Sequence, residues 1–294
     1  MAVVLSLPEG EAAEGLSGNR GRSLPVYFAC KQAFDRMIAM LLLLPGLPIM
    51  GLLVLLIKAT SRGPGVYSQQ RVGRNGCVYT MYKLRSMRID AETKTGPVWS
   101  PAGRDSRVTP LGYWLRKLHL DELPQLFNVL RGEMSLIGPR PERPEFVEIL
   151  AASIPGYLDR LQVAPGITGL AQINLPPDTN LDDVRRKLVL DQQYIASAGP
   201  LLDARILCST LLRLCGLRGE WTIQLMSLKR TVELPPPATN AAELPTSIVV
   251  ALSAPPFASP EQIAPSEVEA FAHTSLNMPC DASPACSPAS MATG

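Results

Sequence analysis

The stretch HLDELPQLFNVLRGEMSLIGPRP, residues 119–141, combines the signals of a helix with two adjacent acids and a rigid turn. Asp121 occupies the position of an N-cap, and Pro124 falls in the first turn, where its missing N–H costs nothing. Gly132 would end the helix in the left-handed conformation. The apolar side chains that follow at helical spacing predict one core-facing stripe: Leu123, Leu126, Phe127 and Leu130.

The acid pair Asp121 and Glu122 and the turn Gly138-Pro139-Arg140-Pro141 point to phosphate chemistry. The two acids would lie at the positive end of a helix dipole, where carboxylates stay ionised. Simple capping accounts for one acid only, and a salt bridge to an acid is the alternative role for Arg140. A guanidinium fixed between two prolines suits a bidentate grip on phosphate. From the residues we therefore predict a magnesium-assisted phosphate site whose acids are nucleophilic or metal-binding.

Charge is distributed unevenly along the 294 residues. Residues 1–230 carry all 28 basic residues and 20 of the 26 acids, a net charge of +8, whereas residues 231–294 contain no lysine or arginine. A basic folded part suits phosphorylated ligands or an anionic membrane surface. The tail is rich in Pro, Ala and Ser, which predicts disorder, apart from the run SIVVALS (247–253), a candidate short strand.

The six cysteines form no CxxC pair and have no histidine at ligand spacing, so we expect them to be reduced and the protein to hold no zinc. The N-terminus lacks the basic region of a signal peptide.

Residues 37–57, MIAMLLLLPGLPIMGLLVLLI, carry no charge and are long enough to cross a membrane. The centre reads Pro45-Gly46-Leu47-Pro48, which predicts a break, because each proline removes a backbone donor and clashes with the preceding turn. Basic residues flank both ends, so the positive-inside rule gives no clear orientation, because both ends resemble cytoplasmic flanks. We therefore favour a re-entrant helix-break-helix, with a kinked spanning helix as the alternative.

Short elements are expected in the rest of the basic part. A hairpin is predicted from Val66–Val72 and Cys77–Lys83, around Asn75-Gly76. Thr109 is the expected cap of a helix that begins at Pro110 and ends near His119, and Asn180 caps a later helix that runs to Gly199. For residues 201–216 we expect packing on the core, with the membrane surface as the alternative.

The chain resembles the bacterial sugar transferase family, the monotopic phosphoglycosyl transferases, over about residues 30–225. The resemblance rests on KQAFDRMIAMLLLLPGLPIM (31–50), MYKLRSMR (81–88), WLRKLHLDELPQLFNVLRGEMSLIGPRP (114–141), PGITGLAQIN (165–174) and DQQYI (191–195). It implies transfer of a sugar-1-phosphate from a UDP-sugar to undecaprenyl phosphate with release of UMP. Glucose, galactose and N-acetylated sugars are all admitted as donors.

The family's roles carry over by position. The resemblance makes Asp121 the nucleophile of a covalent phosphosugar-aspartate, and Glu122 the partner that places Mg²⁺ or assists proton transfer. Both acids are then candidate metal ligands. Arg116 and Arg140 would bind phosphates, and Lys83 and Arg85 would line the same pocket. Leu47 before Pro48, and the additional Pro45, depart from the family's usual break.

The expected fold class is α+β: a mostly helical, membrane-associated domain with a short hairpin, a re-entrant anchor and a disordered tail. The expected divisions are a flexible arm (1–29), the membrane segment (30–60), a cytosolic catalytic domain (61–228) and the tail (229–294), which corresponds to the family's compact form. The expected location is the cytoplasmic face of the bacterial inner membrane, with no nucleic-acid partner and with a homo-oligomer interface through 160–220 as a hypothesis. The alternatives in function are a catalytically silent adaptor of polysaccharide assembly and a hydrolase of the same intermediate.

Overall fold

The fold was obtained as a computed structural model that describes residues 17–91, 105–232 and 234, with side chains from residue 26 onward. The described part is mostly helical, with a two-stranded hairpin and a two-stranded parallel pair, as the sequence predicts at the level of fold class. The predicted strand at 247–253 and nearly all of the predicted tail lie outside the described residues. The helices are α1 (Ser17–Thr60), α2 (Pro110–Lys117), α3 (Gln125–Arg131), α4 (Pro144–Ser153), α5 (Leu170–Asn174), α6 (Leu181–Ser197), α7 (Pro200–Leu214) and α8 (Gly219–Leu225), and the strands are β1 (Val66–Val72), β2 (Val78–Leu84), β3 (Ser135–Ile137) and β4 (Gly166–Thr168).

Helix α1 is continuous from Ser17 to Thr60, so the predicted break at residues 45–48 is not confirmed. Each proline removes only one backbone donor, and the turns on either side keep their own hydrogen bonds, so the helix continues through the Pro-Gly-Leu-Pro sequence. Its apolar stretch is long and hydrophobic enough to cross a membrane, with a mean hydropathy of 2.6. The helix also begins within the segment predicted to be a flexible arm.

Both ends of α1 pack against the globular part of the chain. Near the start, the ammonium of Lys31 lies 2.7 Å from Asp35, 2.8 Å from Ser135 Oγ and 3.2 Å from Asp203, all of them buried. Near the end, Ile57 packs with residues of β2 and α2 in a separate apolar cluster. These contacts leave the middle of the helix largely exposed.

The hairpin is confirmed, with its second strand one residue later than predicted. Val66 pairs with Leu84 and Val72 with Val78 in an antiparallel register. Asn75, at φ 56°, supplies the left-handed residue of the turn. Helix α3 packs against β2, so the hairpin supports the segment that carries the acid pair.

The prediction that Asp121 caps a helix is wrong. Asp121 lies in a 3₁₀ turn, Leu120–Glu122, whose acids cap no backbone N–H, and α3 begins only after Pro124. Proline fixes its own φ in the helical range, so Pro124 itself serves as the residue before the helix. Gly132 ends α3 at φ 81°, as predicted.

The predicted apolar stripe is wrong at Phe127, which is 37% exposed. The helix buries Leu126, as predicted, and also Val129 and the polar Gln125 and Asn128. Hydrogen bonds compensate the burial of the amide of Asn128.

Strands β3 and β4 form a parallel pair that local sequence patterns do not reveal. Ser135 aligns with Gly166, and Ile137 with Thr168. A side chain at Gly166 would collide with the backbone of Gly138, so both glycines are needed for the close approach. The pair positions the Gly-Pro-Arg-Pro turn, which leaves the end of β3.

The later helices cover the parallel pair. Asn180 caps α6 as predicted, with its side chain accepting from the N–H of Asp183, whereas Gly199 serves as the residue before α7. Helix α7 packs on both strands, with Ile206 fully buried, which confirms packing on the core for residues 201–216. The cysteines at 30, 77, 208 and 215 are not in disulfides.

Candidate active site

The acid pair is presented by a tight reversal of the chain after α2. His119 adopts φ 54°, a left-handed conformation, and directs the 3₁₀ turn back against β2 and α2. Thr109 fixes the other end of α2, because its N–H donates to the carbonyl of Ser86 just beyond β2 and its Oγ1 accepts from Gly112 N. The acids therefore rest on a frame of β2, α2 and α3.

Glu122 is held by two cations. Its Oε1 accepts from Lys83 Nζ at 3.0 Å and lies 3.5 Å from Arg140 Nη2. Burial alone would raise the pKa of Glu122, but Lys83 and Arg140 outweigh it and lower the pKa to about 2. Glu122 is therefore ionised at neutral pH, and the predicted alternative for Arg140, a salt bridge to an acid, is the contact observed.

Asp121 differs from its neighbour, although it is only 7% exposed. Its carboxylate forms no hydrogen bond or ion pair with any residue in the part of the chain that the structure describes. Burial, followed by the charge of Glu122, raises the pKa of Asp121, and the more distant Lys83, Arg116 and His119 oppose that rise. Asp121 is thus a buried residue whose carboxylate is not neutralised by a partner among the described residues, which makes it a candidate functional group.

The structure brings three of the four predicted basic residues toward the acids. Lys83 and Arg140 contact Glu122, while Arg116 lies near Asp121 and donates from Nε to Ser86 Oγ at 2.9 Å. Arg85 is different, because its Nη2 donates to the carbonyl and Oγ of Ser61 at the end of α1. It is buried there, so its contacts tie the hairpin to the end of α1.

Asn128 supports the site, although it is not among the residues predicted from the sequence to form it. It is fully buried; its amide donates to Thr80 O at 2.7 Å and to Glu133 at 2.6 Å, and its Oδ1 accepts from Tyr82 N at 3.2 Å. These bonds fasten α3 to the strand that carries Lys83. The sequence does contain a signal for this role, since the polar Asn128 lies between the apolar Phe127 and Val129 of the helix.

The acid pair fits a magnesium ion in part. Among the described residues there is no group of three or more His, Cys, Asp and Glu side chains that could hold a metal on its own. Mg²⁺, however, is usually bound by one or two carboxylates together with substrate phosphates and water. The unpartnered carboxylate of Asp121 beside Glu122 is the donor set that such an ion requires.

An open cleft of about 450 Å³, including open solvent, borders the Arg140 turn. Its walls include Arg140, Tyr157, Arg160, Lys187 and Asp191. Most of these charges are already paired within the cleft, as in the contact of 2.8 Å between Arg160 and Asp191. The cleft therefore contributes to holding the turn, and neither acid is among its lining residues.

Large apolar side chains are exposed on the last two helices and on α2. Trp221 and Leu225 of α8 are each 69% exposed, and Trp114 of α2 is 55% exposed. Basic side chains accompany them, with Lys117 Nζ 4.9 Å from the Trp114 ring centre. Aromatic residues with adjacent cations are typical of surfaces that rest at a membrane interface.

Comparison with known proteins gives a family match that covers most of the described chain. The family model described as "Bacterial sugar transferase" matches residues 26–216. A protein of Komagataeibacter xylinus named undecaprenyl-phosphate glucose phosphotransferase is 43% identical over 188 residues, 62% of this chain and 35% of that protein. A protein of Aeromonas hydrophila named UDP-N-acetylgalactosamine-undecaprenyl-phosphate N-acetylgalactosaminephosphotransferase is 41% identical over 187 residues, 64% of this chain and 44% of that protein.

A shorter relative matches over more of its own length. A protein of Caulobacter vibrioides named UDP-glucose:undecaprenyl-phosphate glucose-1-phosphate transferase is 39% identical over 184 residues, 62% of this chain and 68% of that protein. The chain thus spans less than half of the first two relatives and about two thirds of the third. The region that the family model matches contains the acid pair, the Arg140 turn and the apolar part of α1.

Proposed function

The chain belongs to the bacterial sugar transferase family, and from that premise we propose that it transfers a sugar-1-phosphate from a UDP-sugar to undecaprenyl phosphate. UMP is released, and the product is an undecaprenyl diphosphate sugar. The observation that carries the proposal is the contrast between the two acids. Glu122 is neutralised by Lys83 and Arg140, whereas the carboxylate of the buried residue Asp121 has no partner among the described residues.

The proposed reaction has two displacement steps. In the first, a carboxylate oxygen of Asp121 attacks the sugar-linked phosphorus, the bond from that phosphorus to the bridging oxygen breaks, and UMP leaves with the electron pair. In the second, an oxygen of undecaprenyl phosphate attacks the same phosphorus and displaces the Asp121 carboxylate. Covalent catalysis divides a transfer between two bulky phosphates into two easier steps.

The basic residues support this chemistry through charge. Lys83, Arg116 and Arg140 surround the acids and would bind the phosphates of the donor. The Arg140 side chain is 45% exposed, so its guanidinium can exchange Glu122 for an incoming phosphate. Mg²⁺, held by Asp121 and Glu122, would neutralise charge on the phosphoryl oxygens.

We further propose that the site lies on the cytoplasmic face of the inner membrane and that α1, although helical throughout, bends at Pro45 and Pro48 and so enters and leaves the membrane on that face. Gln32 Nε2 donates to the carbonyl of Gly132 at 3.0 Å, and Arg85 Nη2 donates to the carbonyl of Ser61 at 2.9 Å. A straight span of a bilayer core of about 30 Å would place the two ends on opposite sides. One globular part that contacts both ends supports same-side entry.

The test is UMP release from a panel of UDP-sugars by the lipid-embedded protein, with and without undecaprenyl phosphate. We expect lipid-dependent release with one donor, lost by at least about 10³-fold in Asp121→Asn. Asp182→Asn is the matched control, because the Asp182 side chain is 58% exposed and has no part in the proposed reaction. Absence of turnover with every donor would support the adaptor, and release independent of the lipid would support the hydrolase.

A further inference from the structure

The carbonyl of Arg140 is bound by a buried arginine that the reaction does not use. Arg160 Nη2 donates to that carbonyl at 2.9 Å. Arg160 lies in the 3₁₀ helix Tyr157–Gln162 and is only 6% exposed. A guanidinium in this position fixes the backbone whose side chain reaches Glu122.

Arg160 is in turn held by two buried partners. Its Nε and Nη2 donate to the same oxygen of Asp191 at 3.1 and 2.8 Å, and its Nη1 donates to Tyr157 Oη at 2.9 Å. Asp191 is 2% exposed on α6 and begins the DQQYI motif, to which the proposed reaction gives no role. The three side chains thus form one rigid support beneath the turn.

Stability alone does not account for this support. Buried ion pairs carry a large desolvation cost, and apolar residues of similar volume often serve the fold as well. An apolar side chain could not donate to the Arg140 carbonyl, however. On the other side of the turn, Arg71 Nη1 donates to the carbonyl of Pro141 at 3.1 Å. The turn is therefore held from both sides by donors from separate elements.

We propose that Arg160, fixed by Asp191 and Tyr157, is a positioning residue that orients Arg140 toward the donor phosphates. The effect is indirect, because Arg160 touches the Arg140 backbone and neither acid. Small displacements of a charged group that binds a reacting phosphate can reduce a rate by up to about 100-fold. This inference rests on the proposed function for the role of Arg140, but the hydrogen bonds beneath the turn can be tested without it.

The first experiment is a double-mutant cycle on kcat/KM for UMP release, read under single-turnover conditions so that slow variants are measurable. Arg160→Lys keeps the positive charge but loses the planar guanidinium that bonds to several acceptors at once. We expect kcat/KM to fall by about 10-fold in the wild-type background. In the Arg140→Ala background we expect a further loss of less than about 2-fold, because Arg160 then has no side chain to orient. An equal loss in both backgrounds would overturn the proposal.

A milder variant guards against misfolding of Arg160→Lys. Tyr157→Phe removes only the hydroxyl that accepts from Arg160, and we expect a loss of about 3-fold that also disappears in the Arg140→Ala background. Arg186→Lys on α6 is the matched control, since its side chain is 44% exposed and, among the residues that the structure describes, pairs only with Asp183. A loss in Tyr157→Phe that persists without Arg140 would contradict a positioning role.

The second experiment uses amide hydrogen exchange and needs no substrate. The N–H of Val72 donates to Glu142 O, and the N–H of Gly166 donates to Pro139 O, so both amides report on the turn. In Arg160→Lys we expect both to exchange at least about 10-fold faster, with the amides of α3 unchanged. Unchanged exchange at both sites would overturn the proposal even if no donor supports turnover, whereas faster exchange without turnover would refute the proposed function alone.

Discussion

The ammonium of Lys83 lies 3.0 Å from a carboxylate oxygen of Glu122, and this contact separates the behaviour of two acids that are neighbours in the chain. Lys83 and Arg140 lower the pKa of Glu122 against the effect of burial, whereas burial raises the pKa of Asp121. Two carboxylates with opposite shifts are suited to different tasks. The contrast also gives each acid a distinct signature in stability.

Asp121→Asn is expected to raise the melting temperature at pH 7 while abolishing transfer. The folded-state pKa of Asp121 is above its unfolded value, so the wild-type carboxylate contributes less to stability as pH rises through the folded pKa. The increase in melting temperature of Asp121→Asn over the wild type should therefore shrink as the pH is lowered below the folded-state pKa of Asp121. Thermal unfolding in lipid nanodiscs at several pH values measures it, and a lower melting temperature at pH 7 would contradict the prediction.

Glu122→Gln is expected to behave in the opposite way. The pKa of Glu122 falls to about 2 in the folded protein. The ionised carboxylate therefore stabilises the fold at any pH above the pKa of Glu122 in the unfolded chain, and this stabilisation is lost as the pH falls toward about 2. The variant should melt at a lower temperature than the wild type at pH 7, and the two curves should converge in acid. Thermal unfolding in lipid nanodiscs at several pH values measures this difference, with Glu148→Gln, at an exposed position, as the control. A difference that does not depend on pH would exclude the ionic origin.

Gly112→Ala is expected to destabilise the frame of the site by about 1–3 kcal/mol, because the added carbon would collide with the carbonyl of Ser86. Ser86 and α2 cannot separate freely, since Thr109 N donates to the same carbonyl at 3.0 Å. Gly51→Ala is the matched control, with no atom within 4 Å of the added carbon. Unfolding of the two variants in nanodiscs provides the comparison, and equal stability would show that α2 can shift.

Trp221 is expected to reach the lipid interface. A variant that keeps only this tryptophan, made by Trp99→Phe and Trp114→Phe, should be quenched by lipids brominated near the headgroup end of the acyl chain. The expectation follows from the 69% exposure of Trp221 and of Leu225 one turn later. A second variant that keeps only Trp114 tests α2 in the same way. Absence of quenching for Trp221 would place α8 in water.

Local signals in the sequence were sufficient for the elements that depend on neighbours in the chain. Thr109-Pro110, Asn180 and the Asn75-Gly76 turn each specify a helix start or a turn within a few residues, and the structure confirms all three. The predicted cap at Asp121 was wrong because both Asp121 and Pro124 are suited to the start of a helix. Pro124 takes that position, since its ring fixes φ in the helical range.

The site itself depends on contacts between distant residues, which local patterns do not contain. The parallel pairing of Ile137 with Thr168 joins segments 31 residues apart, and no turn signal specifies such a pairing. The prediction that Arg85 lines the pocket followed from its place two residues after Lys83, yet its guanidinium is taken up by Ser61. The acids and Arg140 remain predictions as catalytic groups, with a geometry that suits the role.

The buried contacts of Lys31 with Asp35, Ser135 and Asp203 make the long apolar helix α1 a structural component of the folded domain. A chain shortened to begin after residue 60, to obtain a soluble enzyme, would lose Lys31, the cation that lies against Asp203 inside the protein. An uncompensated buried charge of this kind typically costs about 3–5 kcal/mol, a large fraction of the stability of a small domain. Solubility of this enzyme is therefore better sought by exchanging the exposed leucines of α1 for polar residues than by removing the helix.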